Sequence, residues 1–288
     1  FQRFLEGTPH YKDFFISYNS YDDLTPEERS FIFRPRTSDI LTKFHTVYGE
    51  KYVWSTFSSD QIDLNYKNPE VLIRVIEILL LYVRKGADVI RLDAITFLWA
   101  NPGTSCANLE QTHMIVKILR DILDFVAPHV ALISETNIPH KENISYFGNG
   151  NDEAHMVYNF ALPPLVLHTF YTKDSTSLSD WAVTLKPASE TTSFFNFLDS
   201  HDGIGLMGIK NILTDEETKF IVQRAREHGG YISYKTDKDG KEVPYEINIT
   251  WFSALNREDG TGHLERQIKK FIASRAIALV LQGVPGIY

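Results

Sequence analysis

Cysteine is almost absent from this 288-residue chain, where Cys106 stands alone. A single thiol excludes an internal disulfide and any multi-cysteine metal centre, and it favours a reducing compartment, the cytoplasm. Basic residues are in deficit, 29 Lys and Arg against 37 Asp and Glu, leaving a formal net charge of −8. Such a balance speaks against a nucleic-acid-binding surface. Long apolar runs are missing as well. The nearest, "VLIRVIEILLLYV", is interrupted by Arg74 and Glu77, short of the roughly 20 residues that cross a bilayer. No basic n-region opens the chain, which starts directly at Phe1, so no signal peptide and no membrane partner are expected. The ten histidines give no H-x-x-x-H spacing beside a glutamate, so neither a catalytic metal nor another cofactor is expected.

What is present is an ordinary globular profile, 43% apolar and 23% charged, long enough for one large α/β domain. Residues 69–85 place Val71, Leu72, Val75, Ile78, Leu79 and Tyr82 at helical spacing behind Asn68 as cap and Pro69 as first helical residue. Gly86 then leads into an apolar strand, 88–95. A second amphipathic helix, "LEQTHMIVKILRDILDFVAP", stops at Pro128 and is followed by the strand "HVALISETN". Strand-like "HMVYNF", helix-like "LPPLVLHTFYT" and "LSDWAVTL", strand "SFFNFLDSHD", helix "ERQIKKFIASRAIALVLQ" and a final short strand "GVPGIY" complete the order. This alternation predicts a parallel α/β fold. Residues 1–65 read as a loop-rich segment and about 203–262 as a polar, Gly-rich excursion. Residues 66–288 hold the strands and helices between and around them.

The polar residues in these strands are not scattered. Asp93 follows "VIRL", Glu135 follows "ALIS" and Asp202 follows "FFNFLDSH", each at or just past the carboxyl end of a strand, the rim where parallel α/β folds collect catalytic groups. Taken singly, each has an ordinary explanation: Asp93 as ion-pair partner of Arg91, Glu135 as a helix cap, Asp202 as a turn residue before Gly203. Taken together, three acids on one rim repel one another, a cost retained where it is used. Glycosidic bond cleavage uses such a set, with one carboxylate at the anomeric carbon and one carboxylic acid protonating the leaving oxygen. A third can hold sugar hydroxyls. Arg91, two positions before Asp93 and on the same face, would keep Asp93 ionised and oriented.

These motifs resemble the α-amylase superfamily, glycoside hydrolase family 13: "VIRLDAITF" its second conserved region, "ALISETN" the third and "FLDSHDGIG" the fourth. "RLDA…PGTSC", "YNFALPPLVLH", "FLDSHDGIG" and "GVPGIY" together resemble its sucrose phosphorylase subgroup. "STFSSDQIDLNYKNPEVL", "ETNIPHKENISYFGNGNDEAHMVYNFALPPLVLH" and "HGGYISYKTDKDGKEVPYEINITW" are most similar to the glucosylglycerate phosphorylase branch. The resemblance implies a (β/α)8 TIM barrel, here truncated to roughly strands 4–8. Residues 1–65 would then belong to the loop domain after the third strand, and 203–262 to the excursion after the seventh. It further implies Asp93 as nucleophile, Glu135 as general acid/base, Asp202 as transition-state stabiliser, His201 as donor to a neighbouring hydroxyl and Arg91 as orienting group. Phe97 and Tyr158 would be platforms for the glucose ring. Arg34, Arg36, His228 and Lys235, placed in loops, would supply cations for phosphate or an acidic leaving group.

The implied function is a retaining α-glucoside phosphorylase that takes a small glucoside and inorganic phosphate to α-glucose 1-phosphate. Sucrose, sucrose 6-phosphate or glucosylglycerol phosphorylases, an α-glucosidase or transglucosidase of the same family, and a non-catalytic barrel scaffold are the alternatives. Two departures matter. Sucrose-specific members carry glutamine after an "HG" where this chain reads "HGGYISYK", which counts against sucrose as donor. The family's first conserved region, strands one to three and the C-terminal β-domain have no counterpart here. By that comparison the polypeptide is expected to be a fragment, poorly soluble and inactive alone, because barrel closure removes sheet edges and completes the sugar pocket.

Overall fold

From residue 69 to 196, and again from 264 onwards, strands and helices follow one another along the chain as their periodicities predict. The computed structural model describes residues 1–237, 239–257 and 263–288; positions 238 and 258–262 of the polar excursion lie outside the described residues. These fall into two units. The first comprises Phe1–Ile90, Ala94–Val130 and Tyr234–Val243. It contains α1 (Gln2–Leu5), β1 (Ser17–Tyr18), α2 (Pro26–Phe31), β2 (Leu41–Thr46), β3 (Gly49–Trp54), α3 (Pro69–Arg84), the start of β4 (Val89–Leu92) and α4 (Glu110–Val126). Within the stretch that reads as loop-rich, β1, β3 and β2 form a three-stranded antiparallel sheet. The β2–β3 hairpin runs in register from Leu41↔Trp54 to Thr46↔Gly49. Leu24, Ile32, Ile40, Leu41, Trp54, Ala100 and Cys106 pack into one core beneath it. The helix after Asn68 forms as its sequence requires: the Asn68 side chain accepts the Glu70 N–H at 3.0 Å and Pro69 occupies the first turn.

Asp63 lies beside this core. It accepts the Thr56 N–H at 2.8 Å and the Thr56 hydroxyl at 2.6 Å. Burial pushes its pKa up to about 6, outweighing those bonds and the Arg34 charge. The unfolded carboxyl titrates near 3.8 and the folded one near 6, so the folded state holds the extra proton between them. Stability therefore falls as pH rises through that window, by about 3 kcal/mol in all from this group. Urea titrations at the two ends of the window should show the fall, and Asp63→Asn should flatten it.

The second unit comprises Arg91–Asp93, Ala131–Ser233 and Pro244–Tyr288. It takes up the end of β4 and adds β5 (Ala131–Ser134), α5 (His140–Asn143), β6 (Met156–Tyr158), α6 (Leu162–Thr172), α7 (Thr176–Ala182) and β7 (Ser193–Asn196). There follow β8 (Ile204–Gly205), α8 (Asp215–Glu227), β9 (Tyr231–Thr236), β10 (Glu242–Asn248), α9 (Trp251–Leu255), α10 (Leu264–Val280) and β11 (Val284–Pro285). Strands β9 and β10 have residues in both units. The main sheet has five strands in the order β11-β7-β6-β5-β4, with β5–β6, β6–β7 and β7–β11 parallel. The excursion is more regular than its composition suggests. Thr214 and Glu217 close a capping box at the start of α8, and β8, β10 and β9 form a second three-stranded sheet.

Fully buried Asn196 ties the end of β7 to its neighbours. Its Oδ1 accepts from Asn159 Nδ2 at 2.9 Å, and its Nδ2 donates to the carbonyls of Leu281 and Gln282, both at 3.2 Å. Gly283 closes over it at φ 144°; a Cβ there would stand 2.6 Å from Asn196 Nδ2 and 2.7 Å from the Phe194 carbonyl oxygen. Gly283→Ala is expected to cost about 1–3 kcal/mol, read as a lowered urea midpoint.

Candidate active site

Arg91 and Asp93 sit at the carboxyl end of β4, two residues apart on one face of the strand. Directly after Asp93 the chain turns through the left-handed conformation at Ala94, φ 48°, a mildly strained conformation for a residue with a Cβ. Glu135 is the residue after β5, and its N–H donates to the Leu92 carbonyl at 3.0 Å, holding the two strand ends together. Behind it, Thr136 hydrogen-bonds Asn143, whose Nδ2 donates to the Tyr158 carbonyl at 2.8 Å. The ends of β5 and β6 are therefore joined by side chains as well as by the ladder. Asp202 lies six residues past β7, where its N–H donates to Ser200 Oγ at 3.1 Å.

One guanidinium gathers the three acids. Arg91 Nη1 hydrogen-bonds Asp93 Oδ1. Nη2 is 3.9 Å from Asp202 Oδ2 and 4.0 Å from Glu135 Oε2, so those two oxygens can be no farther apart than the sum of these distances. The Arg91 guanidinium carbon lies 5.5 Å from the centre of the Tyr158 ring. His201 Nε2 is 3.2 Å from Asp202 Oδ2. Glu135 is the most sheltered of the three, its side chain 15% exposed against 52% for Asp202 and 70% for Asp93. Burial works to lower the Arg91 pKa, but the Glu135 and Asp93 charges outweigh it and raise it, so this cation is permanent. The Tyr158 phenol is raised by burial, against the opposing pull of Arg91 and with help from Glu135 and Asp202. It stays neutral and can only hydrogen-bond or stack.

Asp93, Glu135, Asp202, Arg91, His201 and Tyr158 thus come together in the second unit. Phe97, Arg36 and Lys235 belong to the first unit, where they form a cluster of their own. Phe97 stacks on Phe33 at 6.0 Å and meets Phe57 edge-on at 5.4 Å. Arg36 lies 5.4 Å from the centre of the Phe57 ring and Lys235 4.5 Å from that of Phe33. Arg34 turns back onto its own loop, bonding the Ser38 carbonyl, and burial lowers its pKa against the pull of Asp39. Two expectations need correction. Lys235 is not a loop cation; it is a buried residue of β9. His228 is buried at the C-terminus of α8, where Nδ1 contacts the Ala254 carbonyl at 2.7 Å and burial lowers its pKa. A neutral imidazole committed to backbone is a helix-packing group.

Asp199, an acid the sequence leaves without a role, is held by both terminal nitrogens of Arg275 on α10, at 2.7 and 2.5 Å. No spacing rule reveals a partner 76 residues away. Among the described residues, no group of three or more His, Cys, Asp or Glu side chains is arranged to hold a metal ion, and no helix is long and apolar enough to cross a membrane.

Comparison with known proteins gives this arrangement a context. The family model for the α-amylase catalytic domain matches residues 1–220. The chain belongs to the α-amylase family. Among its relatives is a glucosylglycerate phosphorylase of Allomeiothermus silvanus, 54% identical over all of this chain and 51% of its own length. The glucosylglycerate phosphorylase of Escherichia coli is 46% identical, again over the whole chain and 50% of the relative. The crystal structure of a sucrose 6F-phosphate phosphorylase from Thermoanaerobacter thermosaccharolyticum superposes with a TM-score of 0.80 at 25% identity, covering 99% of this chain and 56% of that one. This chain therefore spans about half the length of the curated relatives it matches. In α-amylase family terms the strands of the five-stranded sheet are barrel strands, and Asp93, Glu135 and Asp202 follow the carboxyl ends of β4, β5 and β7.

Proposed function

We propose that the protein is a retaining α-glucoside phosphorylase acting on a glucosylglycerate-like donor. The observation that carries this reading is the single guanidinium of Arg91 shared by Asp93, Glu135 and Asp202. Asp93 attacks the anomeric carbon through Oδ2, the oxygen opposite its Arg91 contact. The bond from that carbon to the leaving oxygen breaks, and Glu135, the most sheltered acid, gives its proton to that oxygen. Asp202 and His201 hold sugar hydroxyls as the ring flattens, and Tyr158 offers its face. In the second step an oxygen of hydrogen phosphate attacks the same carbon, the bond to Asp93 breaks and Glu135 takes back a proton from that phosphate. Two inversions retain the α configuration. The lone buried thiol Cys106 suits the cytoplasm.

Product analysis tests the proposal. With a glucosylglycerate donor the intact protein should form α-glucose 1-phosphate in proportion to added phosphate, and little free glucose. Glucose as main product in the presence of phosphate would favour the hydrolase alternative. Equal rates with sucrose 6-phosphate would move the donor assignment to that phosphorylase.

A further inference from the structure

We propose that Asp199 and Arg275 form a positioning pair for Asp202, setting where its carboxylate stands beside Arg91. This rests on the role given to Asp202 above. The side chains of Asp202 and His201 are 52% and 58% exposed, so packing does not hold them. Asp202 touches His201 at 3.2 Å and Arg91 at 3.9 Å, the first on the same loop and the second too long for a hydrogen bond. Its place is inherited from the backbone of residues 197–202.

That backbone is anchored in sequence. Phe197 and Leu198 are buried, Phe197 against the rings of Tyr158 and Phe160 at 5.1 and 5.3 Å. Asp199 comes next, gripped by Arg275, and then Ser200 Oγ accepts the Asp202 N–H at 3.1 Å, which shapes the remaining turn. Arg275 projects from α10 with its guanidinium against Phe271 at 4.9 Å. The pair is mostly sheltered, with side chains 13% and 20% exposed. Two parallel N–H···O bonds fix the plane of the Asp199 carboxylate as well as its distance, which one ammonium could not do. Only Ser200 and His201 separate that fixed plane from Asp202. A rotation at Asp199 moves the Asp202 carboxylate directly, and displacements of about 1 Å at a reacting centre can cost on the order of 100-fold in rate.

Asp199→Asn and Arg275→Lys test this in the intact protein, each alone and in an Asp202→Asn background. α-Glucosyl fluoride as donor keeps the slow rates measurable. Asp199→Asn should lower kcat by roughly 10–100-fold with KM within about twofold. Arg275→Lys keeps the charge and loses the fork, so it should lower kcat similarly while the thermal midpoint stays near that of the parent. In the Asp202→Asn background both losses should shrink to less than about twofold, because the group being positioned is gone. Losses that multiply unchanged in that background, or parental kcat in either single variant, would overturn the proposal. Parental activity in Asp202→Asn alone would instead remove the catalytic reading on which it rests.

Discussion

Asparagine at position 93 is expected to lower glucosyl transfer by at least about 10⁴-fold, for every donor, whatever its leaving group. The substitution keeps the size of the side chain, so the loss can be assigned to the charge. Asp93 is 70% exposed and carries no core packing, so folding should be intact and a circular dichroism melt should overlay that of the parent. The covalent intermediate needs an oxygen that can form an ester with the anomeric carbon and leave again, and an amide is a far weaker nucleophile. Trapping separates this from a binding defect. The parent should become covalently glucosylated by a slow 2-fluoro glucoside, seen as a mass increase on the peptide containing Asp93, and the variant should not. Unchanged turnover would end the double-displacement reading.

Glutamine at position 135 should behave differently, and the difference identifies its role. General acid catalysis contributes about 10²–10⁴-fold to departure of a poor leaving group. A sugar-acid leaving group needs that proton, whereas fluoride does not. Glu135→Gln should therefore lose about 10²–10⁴-fold on a glucosylglycerate donor and far less on α-glucosyl fluoride. In the second step water must give up a proton to become a good nucleophile, while phosphate arrives already anionic. The variant should consequently discharge its glucosyl-enzyme to phosphate in greater preference to water than the parent does. Comparable losses on both donors would show that Glu135 does not protonate the leaving group.

Both substitutions concern residues visible before any fold was known. The strands that carry them are short, apolar and followed by acids, and they alternate with amphipathic helices as an α/β fold requires. The α3 helix was equally legible, because Asn68, Pro69 and Gly86 punctuate it locally. The β2–β3 hairpin was not. It turns through Val47 and Tyr48, without the Asn-Gly or Asp-Gly pair that marks such turns. The α8 helix carried its marker, Thr214 three residues before Glu217, yet its acidic first turn sits inside a polar stretch that hides the weak apolar face of Ile221, Val222 and Ala225.

Local chemistry along the chain was enough to point to the strands and helices of the main sheet and to the three acids at its strand ends, since period, caps and strand-end polarity act over a few residues. Which cations serve those acids was decided by packing. Arg91 reaches all three because strand ends from separate segments converge. Lys235 is absorbed against Phe33, His228 is spent on the α9 backbone, and Arg275 is delivered to Asp199 from 76 residues away. The solvation and partners of a charged side chain depend on what folds against it, and that contact is made in three dimensions.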